Sequence, residues 1–111
     1  MDKNKKDVVV YRNEDIERVI AFIPPGHKHV RVLIETKDKI IVFQEATIAG
    51  IIRAYVNVGM HPYKKALELQ CTRLRKDSRK IGFAEYQLIE SNRSEKSILD
   101  EVASIIGIGK Y

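Results

Sequence analysis

Val30-Arg31-Val32-Leu33-Ile34-Glu35-Thr36-Lys37-Asp38-Lys39-Ile40-Ile41-Val42-Phe43 is the stretch that decides the fold. Val30, Val32 and Ile34 alternate with Arg31, Leu33 and Glu35, and a period of two gives a strand one apolar face. Lys37-Asp38 separates this run from Ile40-Ile41-Val42-Phe43, so the two runs read as a hairpin. The turn has no Asn-Gly pair, and its type stays open. A hairpin excludes an all-parallel sheet.

Beyond the hairpin, Thr47 is placed to cap a helix. Ile48, Ile51, Ile52, Tyr55, Val56 and Gly59 share one face of it. Tyr63, Ala66, Leu67, Gln70, Cys71 and Leu74 continue the stripe almost in phase. Pro62 inside a straight helix would clash with the carbonyl of Val58, at a cost of about 3 kcal/mol, and Gly59 can absorb a bend. The spacing therefore predicts one kinked helix, or two abutting helices, over residues 47–75.

Before the hairpin, Val8-Val9-Val10-Tyr11 reads as a strand. Asn13 offers a cap, and Ile16, Val19, Ile20 and Ile23 follow at helical spacing up to Pro24-Pro25-Gly26. After the long helix, residues 81–90 read as a strand with Ala84, Tyr86 and Leu88 on one face. Asn92 and Glu95 form a capping box for a last helix with Ile98, Leu99, Val102, Ile105 and Ile106, ended by Gly107 and Gly109. The expected class is α+β. It is a two-layer sandwich of a mostly antiparallel four-stranded sheet with helices on one face, in the order β-α-β-β-α(kinked)-β-α. One domain spans residues 8–107, between a flexible segment at 1–7 and a frayed end at 108–111. With helices on one face only, Leu33, Ile41 and Phe43, or the residues opposite them, are left uncovered. That face is expected to pair with a second copy or a related subunit.

Composition narrows the classes. At 111 residues, 44% hydrophobic and 32% charged, the chain fits a single globular domain. No apolar run approaches the roughly 20 residues that span a bilayer, and the first residues carry no signal-peptide pattern. The single cysteine, Cys71, excludes an internal disulfide and fits the reducing cytoplasm. Fifteen isoleucines against six leucines, with frequent Lys and Glu, suit a heat-adapted source.

The net charge is +5, and it is concentrated. Residues 61–80 hold Lys64, Lys65, Arg73, Arg75, Lys76, Arg79 and Lys80 against Glu68 and Asp77, while the other charges cancel. A local excess in a balanced chain marks a surface for an anionic partner, RNA or DNA. The competing reading is a solvated helix face. If five of these residues touch phosphates, log K falls against log salt with a slope of about −3.5 on a single strand or about −4.5 on a duplex. Tyr63 fits the buried stripe better than a base-stacking role.

No catalytic, cofactor or metal motif is present. His27 and His29 would share a face in a strand, yet no third ligand lies near them. His61 reads as a kink residue. Cys71, on the apolar stripe, reads as a buried and inert thiol. Glu85 and Glu90 fall on opposite faces of a strand, which makes a poor carboxylate pair. Gly107 and Gly109 follow a helix instead of opening one, so they form no phosphate loop.

Glu17-Arg18-Val19-Ile20-Ala21-Phe22-Ile23-Pro24, Val30-Arg31-Val32, Ile40 to Phe43 and Ile52-Arg53-Ala54-Tyr55-Val56-Asn57 together resemble the smallest, dimer-forming subunit of the KEOPS complex. That complex takes part in making threonylcarbamoyl-adenosine in transfer RNA. The resemblance covers residues 8–74. It departs from the family's pattern at Glu45-Ala46-Thr47 and Pro62, and residues 75–111 have no counterpart in the family's short form. It implies a non-enzymatic subunit that dimerises through its sheet and assists tRNA modification, with Arg53 and Asn57 on a partner-facing helix. Two alternatives stand beside this reading. One is a free-standing nucleic-acid-binding protein that uses residues 61–80, and the other is a small enzyme whose site carries no recognised motif.

Overall fold

The computed structural model describes residues 6–78 and 84–107. At its centre is the expected hairpin. Strands β2 (Arg31–Thr36) and β3 (Ile40–Gln44) pair antiparallel, with Val32 opposite Phe43, Leu33 opposite Val42 and Ile34 opposite Ile41. Thr36 holds the turn. Its N–H donates to the Lys39 carbonyl at 2.9 Å, and its Oγ1 accepts from the Lys39 N–H at 3.1 Å. At 5% exposure it is the most enclosed polar residue described, and a buried polar group needs such partners. The register puts Ile41 and Phe43 on one face and Leu33 on the other, so the three residues expected together are divided.

The third strand of this sheet is β1 (Ile16–Phe22), antiparallel to β2, with Ile20 opposite Leu33 and a register shift between Ile16 and Arg18. A helix was expected over residues 13–23. The capping signal is confined to one 3-10 turn at Asn13–Asp15, where the Arg12 N–H donates to Asp15 Oδ2 at 2.9 Å. A lone short helix is marginal, whereas β-branched Val19 and Ile20 pair well and complete the ladder along β2. Val8–Tyr11, expected as a strand, is irregular.

Helix α1 (Glu45–Gly59) follows β3 without a loop. Its cap position is Gln44, with no side-chain cap bond, so Thr47 lies inside the helix. The helix ends where a kink was expected. The Met60 N–H still reaches the Val56 carbonyl at 2.9 Å. His61 Nδ1 then accepts the N–H groups of Tyr63 and Lys64 at 3.1 and 2.9 Å, giving the exiting backbone its partners. Pro62 therefore stops this helix.

Residues 69–73, expected as helix, form β4 (Leu69–Arg73). It pairs antiparallel with β5 (Tyr86–Glu90), from Leu69 opposite Glu90 to Arg73 opposite Tyr86. The α+β class holds and every strand pair described is antiparallel, but the strands form two sheets, of three and two, instead of one sheet of four. The beginning of the expected strand at 81–83, and the expected loose ends at 1–5 and 108–111, lie outside the described residues.

Helix α1 bridges the sheets, lying against β2, β3 and β5. Gly50 is its buried point. A Cβ there would stand 2.8 Å from Leu88 Cδ1 and 3.6 Å from Leu69 Cδ1. Helix α2 (Glu95–Ile106) forms as expected, but its cap is Ser94, whose Oγ accepts the Ser97 N–H at 3.1 Å. Gly107, at φ 88°, closes its end. Arg93 ties α2 to β4 by binding Glu68 at 2.9 Å, Glu101 at 2.5 Å and the Ser97 carbonyl at 3.2 Å. A hydrogen bond from Ser91, and then Arg93, hold the Glu68 carboxyl below its ordinary value of 4.5.

No apolar side chain among the described residues is fully enclosed. The chain exposes 9794 Å², against about 6,300 Å² for a compact monomer of this mass.

Gly50→Leu is expected to cost about 1–3 kcal/mol, because the added branches overpack Leu88 and Leu69; urea unfolding measures this. A depressed carboxyl contributes stability that is whole above its unfolded value and is lost as pH falls through its lower folded value. The melting temperature is therefore expected to hold level down to about pH 5 and then fall below about pH 4.5, with a smaller fall in Arg93→Ala. That variant is also expected to speed hydrogen exchange along α2.

Candidate nucleic-acid interface

The cations expected on one helical arm are divided by β4. Lys64 and Lys65 precede the strand, and Arg73, Arg75 and Lys76 lie at its other end. Four steps of about 3.3 Å put roughly 13 Å of strand between the groups. The reason is the same as for the helix end: the chain leaves α1 at Gly59 and runs out as an extended strand. Arg79 and Lys80 lie outside the described residues.

The first group is partly neutralised. Lys64 Nζ lies 3.7 Å from Glu90, and the Lys65 N–H donates to Glu95 at 2.9 Å while its side chain is open. In the second group Arg73 Nε meets Glu85 at 2.6 Å. Arg75 and Lys76 are exposed and form no ion pair among the described residues. Lys76 opens a 3-10 turn at Lys76–Ser78. Together with Leu74 and Glu85, these three cations line a depression of about 540 Å³.

Register adds a residue that the sequence reading did not single out. Tyr86 stands opposite Arg73 on the neighbouring strand and is 57% exposed. It was read only as one member of an apolar strand face, and its place beside the cations becomes visible once Arg73 is in a strand. Tyr63, expected in the buried stripe, is 81% exposed, and its ring meets His61 edge-on at 6.3 Å.

Between α1 and the β4–β5 pair lies an open cleft of about 560 Å³, lined by Thr47, Gly50, Arg53, Cys71, Tyr86 and Leu88 among others. Two of its polar side chains are tied to backbone carbonyls. Arg53 Nη2 donates to the Leu88 carbonyl at 2.8 Å, and Gln87 Nε2 donates to the Ala84 carbonyl at 3.1 Å. Glu85 borders both this cleft and the cationic depression. Cys71, expected on a buried helical stripe, is exposed on β4.

Arg53 and Asn57 are engaged within the chain, since Asn57 Nδ2 donates to the Arg53 carbonyl at 2.8 Å. His27 and His29 lie in the loop before β2, and His29 Nδ1 bonds the Glu45 carboxylate. Among the described residues no group of three or more His, Cys, Asp or Glu side chains is placed to hold a metal ion. None of the described helices is long and apolar enough to cross a membrane. Comparison of the chain with protein-family models, curated proteins and solved structures finds no match in any of them.

An exposed thiol is open to reagents. Cys71 is expected to react stoichiometrically with a disulfide reagent in the folded protein, without denaturant. Protection until unfolding would contradict its place on β4.

Proposed function

We propose that this chain is a non-enzymatic binding subunit that engages single-stranded RNA through the far end of the β4–β5 pair. The observation that carries this reading is the pair of exposed cations Arg75 and Lys76 on one depression, beside Arg73, which Glu85 holds at 2.6 Å, with the exposed ring of Tyr86 opposite Arg73. Cations bind phosphates without regard to sequence. An aromatic face beside them stacks on an unpaired base, which a duplex does not offer.

Arg79 and Lys80, expected in the same cationic set, lie outside the described residues. Lys64 and Lys65 are secondary, because Lys64 already has Glu90. The resemblance to the small KEOPS subunit supplies a setting, in which a self-associating subunit assists transfer-RNA modification in the cytoplasm. The family's order is strand, helix, hairpin and long helix, and β1 stands here where that helix is expected, so the reading leans on the cations and Tyr86. Arg53 and Asn57 make poor partner contacts, being held by their own chain.

Fluorescence anisotropy with a labelled single-stranded RNA, over a range of salt, tests this reading. Arg75→Ala with Lys76→Ala is expected to flatten the slope of log K against log salt by about 1.4, that is, about 0.7 per phosphate contact. Lys64→Ala with Lys65→Ala is expected to flatten it less. Tyr86→Ala is expected to weaken single-strand binding by about 5- to 150-fold, matching the 1–3 kcal/mol of one stacked base, while Tyr86→Phe keeps it and duplex binding is unaltered. An unchanged slope together with a neutral Tyr86→Ala would overturn the proposal.

A further inference from the structure

We propose that the outer stripe of α1 is the seam of a self-assembled dimer, covered by the same stripe of a second copy. This deepens the subunit reading above, on whose self-association it rests, and it is independent of RNA.

At 100° per residue, Thr47, Gly50, Ala54 and Val58 fall close to one line of α1, and all four are shielded, as are Glu45 and Ile48 elsewhere on the helix. The large apolar residues spread over the broad face beside that line. Ile51, Ile52, Tyr55, Val56 and Met60 are all exposed, with Tyr55 at 74%. A helix that served only its own chain would turn its large side chains inward. This one gives its single buried position to Gly50 and leaves most of its large side chains open.

The stripe carries no charge. The only ionisable acid and base on α1 are Glu45 and Arg53. Glu45 bonds His29 and Arg53 bonds the Leu88 carbonyl. A polyanion or an acidic peptide finds nothing to bind here. Two identical stripes meet without like-charge repulsion, as a two-fold contact between equal surfaces requires.

The area agrees. The chain exposes 9794 Å², about 3,500 Å² more than a compact monomer of its mass. Obligate homodimers bury about 2,000–5,000 Å² in total, or about 1,000–2,500 Å² per copy. The excess, counted over the whole chain, is larger than the area one copy gives to an obligate interface, so the stripe need supply only part of it. It leaves room for the second open surface, the sheet face with Ile20, Ile40 and Val42, to contribute as well.

Sedimentation equilibrium is the test, with single-cysteine cross-linking in a Cys71→Ser background as the second measurement. The wild type is expected to have the mass of a dimer at about 10 µM. Ile52→Glu with Tyr55→Glu is expected to raise the dissociation constant at least 100-fold. Under mild oxidation, Ile52→Cys is expected to join two copies, since position 52 is the midpoint of α1 and a two-fold axis through the middle of the stripe brings the two copies of that residue within the roughly 7 Å that a disulfide spans. Ile40→Cys, on the sheet, serves as the control. This cross-link decides the matter even if the double variant unfolds. A monomer mass at about 50 µM, or cross-linking through Ile40→Cys with none through Ile52→Cys, would overturn the proposal. Dimers that ignore RNA would sink only the earlier reading, and a monomer that binds RNA would sink only this one.

Discussion

The packing of α1 against both sheets is the interaction on which the arrangement depends. Of the elements described, α1 lies against β2 and β3 on one side and β5 on another. It does so with small residues: the buried Gly50 lets Leu88 and Leu69 approach the helix backbone, and Ala54 continues the same line. Close approach is what a glycine in mid-helix provides, at about 1 kcal/mol of helix propensity. The consequence is on the other side of the helix. With the inner line given to small side chains, the bulk of the apolar surface of α1 points outward, and no apolar side chain described is enclosed by the chain alone. Burial of apolar area is the main favourable term in folding, and this open surface is what the proposed second copy would cover.

The elements farther along the chain are held by polar ties. Arg93 joins Glu68 before β4 to Ser97 and Glu101 on α2. Charge-assisted bonds of this kind fix geometry; exposed ones add little to stability. They tie the Glu68 end of the β4–β5 pair to α2, while Arg73, Arg75, Lys76 and Tyr86 stand at its other end. The proposed association and the proposed RNA contact thus fall on different parts of the molecule: an uncharged helical stripe for the first, a cationic strand end with an aromatic ring for the second.

The hairpin of β2 and β3 was legible because alternation with period two ran through both arms. So was α2, whose apolar stripe ends in a glycine that adopts a positive φ. Two segments misled, and for one reason. Ile16, Val19, Ile20 and Ile23, like Tyr63, Ala66, Leu67, Gln70, Cys71 and Leu74, recur at helical spacing, yet both runs contribute strands. In an isoleucine-rich chain, apolar residues satisfy several periods at once, and pairing with a neighbouring strand decides between them. Pro62 was the better guide: it was read as a kink, and it is a stop, because His61 gives the released backbone N–H groups a partner. Of the candidate site, the cationic excess was visible by counting. Its division by β4 and the place of Tyr86 opposite Arg73 depend on strand register, which one-dimensional spacing does not carry.

Thermal unfolding over a range of protein concentrations bears most directly on the claim that this chain completes its fold with a second copy. Where folding and association are one process, mass action raises the melting temperature with concentration. The account predicts a steady rise between about 1 and 100 µM. A melting temperature that stays constant across that range, with a cooperative transition, would mean that one copy folds by itself and would contradict it.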